Sequence, residues 1–173
     1  MSYYEGRSEF YKTLSEDNKK VAHGHVDDAT GDTRCSFFRM NDNDESLAGN
    51  VQMMHSPAVI HASYTARPIL KDDSERVLIT DELLFLVKPE SGSADEIEGA
   101  YILAETVLQE FIQWMLNAYE EDGNCGPFME IDLNMFSWEP EGPMLQDFYG
   151  MRLTIREEQK ASQLTNFNAS NWF

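Results

Sequence analysis

Apolar residues recur along this chain at two different periods, and the period in each segment predicts its element. From Tyr3 to about residue 22, Tyr3 or Tyr4, then Arg7, Phe10, Tyr11, Leu14 and Val21 return at helical spacing, so the segment reads as a helix stopped by Gly24. Residues 24–34 are polar and turn-rich and read as a loop, followed by a short strand over Cys35–Met40 and another polar stretch over 41–50. Pro57–Ala66 alternates, with Val59, His61, Ser63 and Thr65 on one face and Ala58, Ile60, Ala62 and Tyr64 on the other. After a turn at Lys71–Glu75, Val77–Val87 reads as the partner strand, its Leu83–Val87 run buried on both faces.

The clearest helix spans about residues 95–119. Ile97, Ala100, Tyr101, Ala104, Val107, Leu108, Phe111, Met115 and Tyr119 recur every three or four positions. Ser93 and Glu96 have capping-box spacing ahead of it, and Gly123 follows as a stop. Phe128–Trp138 then alternates, with Met129, Ile131, Leu133 and Met135 on the inward side. Glu139–Pro143 reads as a turn or bulge. Phe148–Arg156 returns with Tyr149, Met151, Leu153 and Ile155 inward and Arg152, Thr154 and Arg156 outward.

The predicted class is therefore α+β: an antiparallel sheet of about four to five strands packed on one long amphipathic helix, plus the N-terminal helix. One domain is expected over 1–156, with 157–173 as a C-terminal extension that ends in aromatics. A length of 173 residues fits one domain and supports a core without staples.

Charge changes this picture most. There are 31 acidic and 13 basic residues, a net charge of −18, which disfavours binding to bare nucleic acid or anionic membrane. Between Lys88 and Arg152 there is no basic residue at all. Glu120, Glu121 and Asp122 sit at the negative end of the long helix, where acids are slightly unfavourable, so local stability does not account for them. With Glu130 and Asp132 they form a candidate acidic face; simple solubility is the other reading.

No leader is expected, because Met1–Phe10 contains no apolar run, and no stretch is long and apolar enough for a membrane span. A cytoplasmic site of synthesis with reduced thiols follows as the expectation. Cys35 and Cys125 lie far apart in sequence, and whether they pair is open.

Candidate chemistry is thin. His23-x-His25 is a weak metal pair without a third ligand, although His55 and His61 are available. Asp42-Asn-Asp-Glu45 starts like a calcium loop, but Leu47 stands where the sharp turn needs glycine and Met53 where a bidentate glutamate is needed. No phosphate loop, dinucleotide fingerprint, serine elbow or C-x-x-C occurs. The Asn168-Ala169-Ser170 sequon is of the length that recurs by chance. No enzyme activity, cofactor or metal is expected.

Two features point to association. Apolar aromatics at a chain end, here Phe167, Trp172 and Phe173, dock either on their own domain or on a neighbour. The segment around Trp138, Pro140 and Pro143 reads as a contact loop or a well-packed turn.

The order of elements resembles the tail-completion, or tail-terminator, proteins of tailed bacteriophages and related neck proteins. A helix leads through a polar loop into Ser56-Pro57-Ala-Val-Ile60, then two strands, one long helix and a C-terminal hairpin. Phe136-Ser-Trp-Glu-Pro-Glu-Gly-Pro143 running into Tyr149-Gly-Met-Arg-Leu-Thr-Ile155 is similar to C-terminal hairpins of small prophage-encoded virion proteins. As topology the resemblance covers roughly residues 3–156; as sequence it covers these two segments.

The resemblance implies a ring-forming structural protein at the head–tail or tube junction, located in the virion and made in a bacterial host. Its partners would be copies of itself and neighbouring tail or neck proteins, with DNA passing through and not specifically bound. A negative lumen suits that passage. Two other readings are an acidic DNA-mimic inhibitor of a nucleic-acid-binding protein and a small hydrolase.

Overall fold

The computed structural model describes residues 3–28, 30–39, 54–71, 74–123, 125–145 and 147–160. In chain order the elements are helix α1 (Tyr3–Asp17), strands β1 (Phe37–Arg39), β2 (Ala58–Lys71) and β3 (Ser74–Val87), helix α2 (Ala94–Asp122), and strands β4 (Phe136–Met144) and β5 (Phe148–Lys160). The strands form one sheet in the order β1-β2-β3-β5-β4. The α+β class, with the sheet packed on one long helix and an N-terminal helix, agrees with the sequence reading. The sheet is mixed, however, because β1 pairs parallel to β2 while the other pairs are antiparallel.

Helix α2 forms because its 29 residues carry a continuous apolar stripe and well-made ends. Ser93 is the N-cap, its hydroxyl accepting from the Glu96 N–H. The Glu96 carboxylate reaches past the cap and accepts from the Ser91 N–H, so the box is not reciprocal as expected. Gly123 adopts φ +62° and donates its N–H to Tyr119, the left-handed stop that glycine makes without strain.

The apolar stripe of α2, from Ala100 to Met115, packs on the front face of the sheet against Val59, Leu83, Phe85, Met151, Leu153 and Ile155. A smaller cluster on the back face joins Phe38, Met54, Ile60, Leu84, Leu86 and Phe148. Alternation in β3 and β5 is what lets one strand feed both clusters.

Several boundaries differ from the sequence reading, each for a physical reason. Helix α1 ends at Asp17, not near residue 22. Val21 is buried all the same, in a turn held by Asn18, whose side-chain oxygen accepts from the Lys20 and Val21 N–H groups. Strands β2 and β3 are longer than expected, 14 residues each, because they pair with each other all the way from Ala58–Leu86 to Lys71–Ser74.

Phe128–Trp138 is not one strand. A bridge joins Cys125 and Phe128, and a 3-10 turn capped by Asp132 spans Leu133–Met135. Ile131 is buried there but Met129 and Leu133 are exposed, so the expected inward row is broken. Glu139–Pro143 is correspondingly strand and not a turn. Strand β4 runs through it, and the reversal falls between Met144 and Phe148. Prolines fit because β4 is the sheet edge, and the register shift between Glu141 and Met144 absorbs Gly142-Pro143. Strand β5 continues to Lys160, beyond the expected Arg156, since β3 offers pairing partners that far.

A bulge also reassigns faces in β2. His61 opposes Leu83, and Tyr64 opposes Asp81, with a register shift between His61 and Ser63. Leu83 and Asp81 share a face of β3, so His61 and Tyr64 share the front face, where simple alternation had separated them.

Candidate functional site

The most unusual group of side chains lies under α1, on the front face of the sheet. Turns of α1 present Tyr4, Arg7, Ser8, Tyr11, Leu14 and Ser15 toward the strands at helical spacing. Arg7 pairs through one guanidinium nitrogen with Asp81 of β3 and through the other with Glu157 of β5. Both carboxylates and the guanidinium are essentially sealed from water, with side chains at 0%, 0% and 3% exposure.

The remaining lone pairs are also used. Tyr11 donates its hydroxyl to Asp81 at 3.1 Å, and His61 Nε2 lies 3.2 Å from the other Asp81 oxygen. The second Glu157 oxygen accepts from the Met129 N–H at 2.8 Å. Aromatic rings complete the enclosure. Tyr4 stacks on His61, Tyr11 meets it edge-on, and Phe128 lies 4.2 Å beneath the Arg7 guanidinium. Burial pushes the Tyr11 hydroxyl well above its ordinary range, with the Asp81 charge adding to the rise and Arg7 opposing it.

This arrangement clamps three elements together and offers no open face to a substrate. It positions α1 on the sheet; nothing in its geometry activates a nucleophile or a water. Sequence reading did not assemble it, although a signal was present. Asp81 falls on the inward face between Ile79 and Leu83, Glu157 continues the inward row of Leu153 and Ile155, and Arg7 interrupts the apolar stripe of α1. A charge on each of three apolar faces is the pattern of a buried ion cluster.

The residues singled out for association fall as follows. Trp138 lies on β4 at 42% exposure, and its indole N–H donates to Glu105 of α2 at 3.2 Å. Pro140 pairs with Met151 in the β4–β5 ladder, and Pro143 lies in the irregular end of β4; both are exposed. Glu120 and Glu121 project from the last turn of α2, which Asp122 closes. Glu130 is exposed beside the 3-10 turn, and Asp132 caps that turn by accepting from the Asn134 N–H at 2.6 Å. Asp132 thus has a local structural role as well as a charge. Phe167, Trp172 and Phe173 lie outside the described residues, as do the Asp42–Glu45 segment and the Asn168 sequon.

His23, His55 and His61 have structural contacts. His23 Nδ1 accepts from the N–H groups of Ser36 and Phe37, which requires its lone pair; burial moves its pKa downward, against a smaller upward pull from Glu16. His55 Nδ1 accepts from the Cys35 N–H at 3.0 Å. Cys35 and Cys125 are both free thiols; burial pushes Cys125 up to about 11, away from the thiolate a nucleophile needs. Among the described residues no group of three or more His, Cys, Asp or Glu is arranged to hold a metal ion, and no helix is long and apolar enough to cross a membrane.

Two of the open grooves are lined entirely by described residues. One, of about 420 Å³, runs between the end of α1 and α2, past Leu14, Lys20, Glu110, Phe111 and Trp114. The other, of about 360 Å³ and mostly polar, lies where residues 130–135 pass the outer part of β5, between Asp132, Arg156 and Glu158. Lys20 and Glu110 pair in the first groove. No protein-family model, no curated protein and no solved structure matches this chain.

Proposed function

We propose that this chain is a structural subunit that works by assembling with other protein chains, as a ring-forming tail-terminator or neck component of a phage-like particle. The observation that carries the reading is the β2–β3 arm. Each strand has 14 residues, roughly 45 Å at about 3.3 Å per residue, against about 5–6 residues for a typical strand. The inner half of the arm holds the core. Much of the outer half, Thr65–Pro68 and Leu70 of β2, is exposed, and Leu70 near the tip has 75% of its surface in water. Among the described residues no strand flanks β2 beyond its short pairing with β1. β3 of this arm is held by β5 as far as Lys160, whereas the exposed outer half of β2, with an exposed leucine near its tip, suits contact with a neighbour.

Acidic composition suits the same role. A ring lined by one-signed carboxylates passes a duplex without holding it. Particle mass across concentrations, electron microscopy of the assembled material and capture of tail proteins test the reading together. Rings or a defined oligomer, weakened by Leu70→Glu, are expected. A strict monomer at high concentration that also captures no tail protein sinks it.

The DNA-mimic reading draws on one specific feature, the eight acids and no base in α2. Salt-sensitive binding to a basic nucleic-acid enzyme, lost on neutralising Glu120 and Glu121, is the result that favours it over assembly.

A further inference from the structure

We propose that the outer back face of the sheet docks on the outer face of α2 in a second copy of this chain. The inference rests on the assembly reading and names the contact that would build it.

Register places Thr65, Thr80 and Arg156 in one row across β2, β3 and β5, then Arg67, Leu78 and Glu158, then Ile69, Arg76 and Lys160. All nine side chains share the back face. Four of the chain's 13 basic residues therefore share this face with Glu158, bordered by the groove where Arg76 and Arg156 meet Glu130 and Asp132, in a molecule of net charge −18. Arg76 and Glu158 pair at 3.6 Å; Arg67 and Arg156 make no ion pair among the described residues. Leu78 and Ile69 give the patch a half-buried apolar centre. The back-face apolar cluster, with Ile60, Leu84 and Leu86, ends short of these rows.

The opposite pattern stands on α2. Asp95, Glu98, Ile102 and Glu105 follow one another at i, i+3, i+7 and i+10, on one stripe of the helix. Ile102 is 58% exposed among those acids, and Trp138 adjoins Glu105 through its indole hydrogen bond. An apolar centre ringed by cations thus faces, in another copy, an apolar centre ringed by carboxylates. This is the anatomy of a specific interface, with charge setting partner and register.

The two surfaces lie on opposite sides of the sheet, because α2 covers the front. The contact is therefore head-to-tail, and its repetition closes into a ring or continues as a filament. The sheet patch spans on the order of 300 Å² from strand and residue spacings, less than the roughly 800 Å² per partner of a standard interface. A single contact is accordingly weak and salt-sensitive, and closure supplies the rest. The chain's own residues 161–173 carry no charged side chain and do not complement the patch.

The test uses the full chain and light scattering at low ionic strength, with circular dichroism to verify folding. One variant, Arg67→Glu/Arg156→Glu, makes the sheet patch acidic. The other, Asp95→Lys/Glu98→Lys, makes the helix stripe basic. The wild type is expected to associate, and each variant alone to associate at least about a hundredfold more weakly, since like charges now face each other. An equimolar mixture of the two is expected to reassemble, because each carries the surface the other lacks.

Association of both variants at wild-type strength overturns this contact and leaves the assembly reading standing. A mixture that stays apart overturns it too. So does restoration of the sheet variant by a Asp42→Lys/Glu45→Lys chain in place of the helix variant, which puts the occupant at residues 42–45. A wild type that is monomeric throughout overturns both readings.

Discussion

Replacing Arg7 by methionine tests the ionic cluster directly. Methionine keeps most of the apolar stem and its packing, but leaves Asp81 and Glu157 buried without their cation. Breaking a buried pair in this way costs about 3–5 kcal/mol, and loss of the guanidinium over Phe128 adds roughly 1 kcal/mol. A fall of about 4–6 kcal/mol is a large part of the roughly 5–15 kcal/mol that holds a domain together. In urea unfolding followed by circular dichroism, the midpoint should drop by about 2–3 M for a slope near 2 kcal/mol per molar.

A second arm removes the carboxylates in the same background. Asp81→Asn with Glu157→Gln keeps acceptors for Tyr11 and for the Met129 N–H while deleting both charges. The triple variant should recover at least about half of the loss, a coupling above about 2 kcal/mol. A single-variant loss under about 1 kcal/mol, or a triple variant less stable than Arg7→Met, would falsify the account of a dry, mutually compensating cluster.

Other expectations follow from the same surroundings. Because the Tyr11 hydroxyl is raised above its ordinary value near 10, the unfolded chain releases that proton first. Stability should then fall above about pH 10 by up to about 1.4 kcal/mol per pH unit, and Tyr11→Phe should lose that slope in alkaline unfolding series. His23 carries the opposite sign of linkage: its pKa is lowered, so the unfolded state takes a proton first as pH falls below about 6.5. Thermal unfolding from pH 7 to 5 should show a loss that shrinks in a His23→Asn variant; identical profiles would remove His23 from the account. Gly150→Ala should destabilise by more than about 2 kcal/mol, since the added Cβ would lie 1.8 Å from the Phe85 carbonyl oxygen. A neutral effect in denaturant titration would mean that β3 and β5 are not packed this closely.

Elements with one unbroken periodicity were legible in the sequence. In α2 the stripe from Ala100 to Met115 is long, and both of its ends carry local signals. In β5, alternation and burial coincide from Met151 onward. Residue type misled where alternation occurred without a partner strand. Met129 and Leu133 alternate with polar residues, yet β5 pairs only from Phe136 onward on that side, so they turn outward. The bulge beyond His61 was hidden as well, because one extra residue leaves no compositional mark. The back-face patch was invisible for a related reason. Arg67, Arg76, Arg156 and Lys160 become neighbours only when the register of three strands is known.

The link from Arg7 to Glu157 also bears on how the chain becomes a molecule. It joins positions 150 residues apart, the first helix and the last described strand, through a charge in the middle of the sequence. A fragment lacking α1 encloses Asp81 and Glu157 with no cation, whereas a nascent chain that still lacks β5 already holds Arg7 against Asp81. The demand therefore falls on the N-terminal end: a chain cut between α1 and the strands must bury two uncompensated carboxylates or hold that region open.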